Sequence, residues 1–166
     1  ASLAKNTLNE INREVQSAGW HFNSRTKYTL SLDTDSKIPL AENIMRVDLN
    51  INQYTPTEFD VIKQGIFLFN KVGNTFTFDQ ALDANVILYL NFTDLPENAR
   101  RYITLRASRI YQDRTIGGNT LHRYASVDEA NALALLKQEE TQTGNHSIFN
   151  NYDTFNIINR GNKITE

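Results

Sequence analysis

The 166-residue chain contains no cysteine. That excludes a disulfide scaffold, a zinc ribbon and a thiolate nucleophile, and leaves the compartment open. Nor is there an apolar run long enough to span a bilayer, so no membrane insertion by this chain is expected. An excess of one charge is missing as well: 17 basic and 19 acidic residues leave a net charge of −2. This balance argues against a DNA-coating protein, though not against a local basic patch. No secretory signal is visible. The sequence opens at Ala1 without a turn before its first helical pattern, and Ser2 is the available cap, in a Ser2-x-x-Lys5 start that lacks an acidic partner. A further N-terminal piece is expected before Ala1.

Catalytic signatures are scarce. His21, His122 and His146 are far apart and show no metal-ligand spacing. No metal or other cofactor is expected. No Gly-x-Ser-x-Gly elbow occurs. Gly117-Gly118 is a lone glycine pair, and a helix stop explains it better than a phosphate loop. Asp33, Asp35, Glu42, Asp48, Glu58 and Asp60 could place two carboxylates at glycosidase separation, but so could most loop-bearing domains. Asn91-Phe92-Thr93 and Asn145-His146-Ser147 match glycosylation sequons and, without an export signal, read as chance matches.

What is present is an ordinary globular composition, 40% hydrophobic and 22% charged, in a length that suits one domain or one domain with an insertion. Its organising stretch is Ala4 to Phe22. Ala4, Leu8, Ile11, Val15 and Ala18 share one side of a 3.6-residue helix, and Lys5, Asn9, Asn12, Arg13 and Gln16 are expected on the watered side. Gly19 stands at the position that closes a helix in the left-handed conformation. Trp20, the sole tryptophan, and Phe22 follow it, so Gly19, Trp20 and Phe22 are expected to form a structural pivot that plugs a seam between layers.

After Phe22 the period changes to two. Tyr28, Leu30 and Leu32 alternate with Lys27, Thr29 and Ser31, and Asp33 to Lys37 reads as a turn. Met45, Val47, Leu49 and Ile51 form the next strand, broken by Thr55-Pro56. Phe59 and Val61, then Ile66 to Asn70, suggest strands around a Gln64-Gly65 turn. Gly73-Asn74 predicts a hairpin turn before Phe76 and Phe78. Val86, Leu88, Leu90 and Phe92 make the most apolar strand. Asp94-Leu95-Pro96-Glu97 is a helix start signal, with Asp94 as cap, and Ala99, Tyr102, Ile103, Ala107 and Ile110 line one face as far as Gly117-Gly118. A third helix is expected from Ser126, paired with Glu129 in a capping box, carrying Ala130, Leu133, Ala134, Leu136 and Lys137 up to Gly144.

From Asn145 the chain is Asn-rich and aperiodic, yet holds Ile148, Phe149, Tyr152, Phe155, Ile157 and Ile158. A disordered tail is poor in such residues, so this stretch reads as an arm that lies on its own body or on a neighbour. The predicted fold is therefore α+β: a discontinuous helical platform (1–22 and 94–144), an inserted antiparallel β-sheet or barrel subdomain (23–93), and an extended C-terminal arm (145–166). The concentrated charge feature is Arg100, Arg101, Arg106, Arg109 and Arg114, suited to local ion pairs such as one with Asp113, to an inter-subunit seam, or to phosphate contacts. Together with Phe149, Tyr152, Phe155, Ile157 and Ile158 these arginines are the interface candidates.

Asn9 to Phe22 with Asn23, NEINREVQSAGWHFN, resembles the opening block of tail tubular protein A of short-tailed bacteriophages (podoviruses). Asp94-Leu95-Pro96-Glu97, Tyr102-Ile103, Arg106-Ala107-Ser108-Arg109 and Tyr111-Gln112 resemble that family's helix after its β insert, and Ser126 to Glu140 its last helix. The resemblance covers both helical ends; the insert agrees in order and pattern. It implies a non-enzymatic head–tail adaptor in the virion tail, assembled in the host cytoplasm as a ring, usually of twelve copies, between portal protein and tail nozzle protein. Tail fibres are a further implied partner, and genomic double-stranded DNA would pass through the channel. It also implies a further helix before the first one here. Two other classes compete. A tail-associated peptidoglycan or capsule hydrolase would use paired carboxylates of the β insert, and a DNA-binding module would show steeply salt-dependent affinity.

Overall fold

A computed structural model describes residues 2–50, 53–55, 57–115, 117 and 119–143. Helix α1 (Ser2–Ser17) is followed by five strands, β1 (Ser24–Leu30), β2 (Ile44–Leu49), β3 (Val61–Gln64), β4 (Phe67–Asn70) and β5 (Leu82–Leu88). A 3-10 turn (Phe92–Asp94) then leads into α2 (Glu97–Thr115) and α3 (Asn119–Thr143). Among the described residues the fold is α+β, with the strands between the first and second helices. The expected arm at 145–166 lies outside the described residues.

The strands are antiparallel and form two sheets. A three-stranded sheet has the order β1-β5-β2, and β3 and β4 form a separate ribbon. Leu30, Ile38, Leu40, Ile44, Val47, Leu68, Phe78, Leu82, Ala84 and Val86 are buried together between them. Phe59 packs edge-on to Tyr54 and stacks on Phe78, closing the end of this core. Several expected boundaries move. Strand β1 starts at Ser24 and is exposed almost throughout, because a bulge with Lys27 in the left-handed region (φ 55°) interrupts its alternation. Ile66 is not in a strand; it sits exposed in the turn with Gly65 (φ 64°). The Asn74 turn is present, but Thr75 and Thr77 make isolated bridges to Asn70 and Lys37, so Phe76 and Phe78 follow no regular strand. Ile51 and Pro56 lie outside the described residues; strand β2 stops at Leu49, well short of the expected break.

Helices α1, α2 and α3 share a second buried cluster: Ile11, Val15, Leu95, Ala99, Tyr102, Ile103, Ala107, Ala132 and Leu136. The expected face of α2 is the one that is buried, with Ile110 partly so. Asp94 does not cap this helix. Its carboxylate accepts from Asn91 Nδ2 and Thr93 Oγ1 inside the 3-10 turn, and the first helical bond runs from Arg100 N–H to the Pro96 carbonyl. Gly117, with φ 66°, donates to the Gln112 carbonyl and turns the chain after α2.

Helix α3 begins seven residues earlier than the capping box suggested. Ser126 lies within it and donates to the Arg123 carbonyl one turn back. Glu129 serves as an ion-pair partner for α2 and caps nothing. This changes the buried face: Glu129, Ala132, Leu133 and Leu136 turn inward, and Ala130 and Ala134 face solvent. Position Gly144 falls outside the described residues.

Candidate functional site

Helix α1 is amphipathic in a way its hydrophobic pattern hides. Ile11 and Val15 are buried as expected, but Asn12 and Gln16 are buried beside them, and Ala4 and Ala18 are exposed. The physical reason is that both amides meet main chain at the end of the β region. Gln16 Nε2 donates to the Leu90 carbonyl (2.9 Å), and Gln16 Oε1 accepts from the Leu90 N–H (2.8 Å). Gln16 thus pairs with Leu90 as a neighbouring strand would, and the strand expected to run on through Leu90 and Phe92 ends at Leu88. Gln16 Nε2 also donates to Asn12 Oδ1 (3.0 Å), and Asn12 Nδ2 to the Tyr89 hydroxyl (3.0 Å). Asn23 completes the junction. Its Nδ2 donates to the Gln16 and Leu88 carbonyls (2.9 Å each), and its Oδ1 accepts from Trp20 N–H (2.8 Å). Buried and mutually satisfied, this amide network holds helix and sheet in one geometry.

Gly19, Trp20 and Phe22, the residues expected to form a pivot, adjoin this network. Gly19 has φ 79°, and a Cβ there would lie 2.5 Å from Ile87 Cδ1, so both backbone and space call for glycine. Trp20 is half-buried; its Nε1 donates to the Val15 carbonyl (2.7 Å), and its ring stacks on Phe22 (centroids 6.4 Å apart). Both rings belong to the helical cluster. Gly19 and Trp20 are legible in the sequence and Asn12, Gln16 and Asn23 are not, although all five lie in one stretch; amides four apart on a helix look like a wet face until a partner is known.

Four of the five candidate arginines have partners in the chain. Arg106 lies where the three helices meet, bonded to Glu14 of α1 (2.6 Å) and Glu129 of α3 (2.7 Å). Arg109 Nε donates to the other oxygen of Glu129, and its Nη1 reaches Asp113 (3.3 Å). Arg114 pairs with Glu10 of α1 (2.8 Å), and Arg100 with Glu97 (2.5 Å). Asp113 also meets His122 of α3 (2.9 Å). The pairs Glu10–Arg114 and Glu14–Arg106 run in opposite order along α1 and α2, and Asp113–His122, Arg106–Glu129 and Asn98–Glu139 do so along α2 and α3, so each neighbouring pair is antiparallel. Burial pushes the Glu129 carboxyl up, but the bonds from Arg109 and Arg106 outweigh it and hold it below the ordinary glutamate value. Burial likewise opposes the charge on Arg106, and its bonds to Glu129 and then Glu14 overcome it, leaving the guanidinium more firmly protonated than usual. Among the described residues Arg101 is exposed and has no ion-pair partner.

Among the described residues, three further outward surfaces carry apolar or charged groups. Tyr124, Val127 and Leu135 are exposed on α3, opposite its packed face. On the β3–β4 ribbon, Ile62, Ile66 and Val72 are exposed. Between β2 and β3 runs an open groove of about 450 Å³ bordered by Arg46, Lys63 and Lys71, continuing into one of about 220 Å³ bordered by Asp48, Tyr54, Phe59 and Asp60. Lys63 Nζ crosses it to the Ile44 carbonyl. Asp48 and Asp60 thus line a common cavity, but each is already paired, with Arg46 (2.7 Å) and Lys71 (2.5 Å). Of the other carboxylates in this region, Asp33 Oδ1 accepts from the Asp35 and Lys37 N–H groups and holds the turn, and Asp35 pairs with Lys37. Among the described residues no group of three or more His, Asp or Glu is placed to hold a metal ion, and no helix is long and apolar enough to cross a membrane. The candidates Phe149, Tyr152, Phe155, Ile157 and Ile158 lie outside the described residues.

A family model described as "Tail tubular protein" matches residues 1–146. No curated protein matches the chain.

Proposed function

The chain belongs to the tail tubular protein family, which makes it a structural subunit of the phage tail, and from that premise we propose that it is a head–tail adaptor. In this reading identical copies close into a ring, of twelve in the resembling family, between the portal and the tail nozzle of a short-tailed phage. Its bore passes the genome during ejection, and the ring is assembled in the host cytoplasm. A ring needs a heterologous contact, one face of each copy against a different face of the next. The observation that supports this is the stripe Tyr124, Val127 and Leu135. α3 spends one face on α2 and keeps a second apolar face outward, at a cost that a covering neighbour removes. The arginine-rich helix contributes through Arg101, and the C-terminal arm through Tyr152, Phe155, Ile157 and Ile158.

The test is assembly. Leu135→Lys and Val127→Lys leave the buried face of α3 intact, so the protein should fold with unchanged circular dichroism yet fail to dock on purified portals or to close rings by electron microscopy. Rings of normal size from the double variant would overturn the α3 contact. For the competing glycan-hydrolase reading, Asp48 and Asp60 are the pair to test. Purified protein is expected to leave peptidoglycan and capsule polysaccharide intact; turnover lost in Asp48→Asn or Asp60→Asn would replace the purely structural reading.

A further inference from the structure

At the end of α3 a small open cleft lies between three parts of the fold. Phe22 comes from the segment after α1, Pro96 from the start of α2, and Leu136 and Thr143 from the last turns of α3. Its water-accessible volume is about 40 Å³. That is far below the several hundred Å³ of a small-molecule site, and matches the end of one apolar side chain. Two hydrogen bonds brace the walls. Glu140 Oε1 accepts from His21 N–H (2.6 Å), and Glu139 Oε2 accepts from Asn98 Nδ2 (2.8 Å), tying the α3 terminus to both other walls. A cleft so braced stays open to solvent with Phe22 and Pro96 only partly covered.

Thr143, which lines the cleft, is also the residue from which the remaining 23 residues of the sequence continue. The first large apolar residues after it are Ile148 and Phe149. Five residues of chain reach up to ~17 Å, so Ile148 and Phe149 can return to the cleft without strain, and Gly144 supplies a position at which the chain can reverse. So short a tether also gives an effective concentration of about the millimolar range.

We propose that this cleft is the docking site for the root of the chain's own C-terminal arm, filled by Phe149 with Ile148 against its rim. The arm then divides into two parts. Its root closes the junction of the three helices within one copy, and the stretch from Tyr152 onward is left to reach a neighbour. The proposal does not depend on ring formation and is tested on the free protein.

The absence of native cysteine makes cross-linking clean. In the 166-residue chain carrying Pro96→Cys and Asn150→Cys, mild oxidation with copper phenanthroline should give an intrachain disulfide at a rate independent of protein concentration. That rate should fall at least tenfold when Phe149→Asp is added. Glu139→Cys with Asn150→Cys repeats the measurement should Pro96→Cys disturb folding, and Val127→Cys with Asn150→Cys, on the outward face of α3, is the control. Cross-linking no faster than the control, cross-links formed only between chains, or a rate indifferent to Phe149→Asp would each overturn the proposal.

Discussion

Replacing Gln16 by Ala removes the side chain that pairs with both main-chain groups of Leu90. Gln16 is wholly buried, so water cannot simply take its place. The Leu90 N–H and C=O lose their partner together, and Asn12 Oδ1 loses a donor. Each buried polar group left unpaired costs about 1–3 kcal/mol. Partial relaxation of Leu90 toward solvent, from its half-buried position, removes some of that, which leaves a loss of about 3–5 kcal/mol. Against a total stability of about 5–15 kcal/mol this is a large fraction. For a chain of this size it corresponds to roughly 6–20 °C in Tm. The assay is thermal unfolding followed by circular dichroism, with hydrogen exchange at the Leu90 amide as the local readout. Gln16→Glu separates the two halves of the pair: it keeps the acceptor for Leu90 N–H but sets a second acceptor against the Leu90 carbonyl and Asn12 Oδ1, and should destabilise at least as much at neutral pH. A loss below about 1 kcal/mol in Gln16→Ala, with Leu90 exchange unchanged, would refute the claim that this amide joins helix to sheet.

Further outcomes follow from the same geometry. Gly19→Ala puts a methyl group into both a left-handed backbone and the Ile87 side chain, and should cost about 2–3 kcal/mol in denaturant titration, whereas a surface glycine such as Gly65 should tolerate the change with the backbone cost alone. Glu129, held below its ordinary value, contributes stability in full above about pH 4.3. That contribution is lost as the pH falls through the lowered folded-state value, because the unfolded chain then binds the proton more readily; acid unfolding of Glu129→Gln should begin from lower stability and show a shallower pH dependence.

Much of the helical part is readable from periodicity. Ile11 and Val15 on α1, and Ala99, Tyr102, Ile103 and Ala107 on α2, fall on the faces that the 3.6-residue repeat assigns, because burial against other helices is what that repeat reports. Gly19 is readable because only a left-handed turn explains a glycine there. Two of the misread helical features share a cause: a polar side chain whose distant partner is invisible locally. Glu129 fits a capping box with Ser126 and also fits Arg106 and Arg109; the tertiary partners win, and the helix extends back to Asn119. Asn12 and Gln16 look solvent-facing until the Leu90 main chain is brought beside them. Arg100 and Arg109 find acids three and four residues away, as a local helical pattern allows, but Arg106, Arg109 and Arg114 also pair with acids 20 to 104 residues away, separations over which a local pattern carries no information. Strand β1 is misjudged for a different reason: its bulge at Lys27 breaks the two-residue alternation on which the expectation rested.

That bulge also decides how the border of the sheet can meet another strand. Strand β1 forms one border of its sheet, with a row of backbone donors and acceptors facing outward. The left-handed kink at Lys27, and the charges of Arg25 and Lys27 on either side of Thr26, spoil that row as a template for another strand. The opposite border, β2, is crossed by Lys63 at Ile44. In the proposed ring, copies held side by side would then meet through their helices without their sheets zipping together, so the same surface that looks irregular in one molecule would keep a crowd of them from fusing into a fibre.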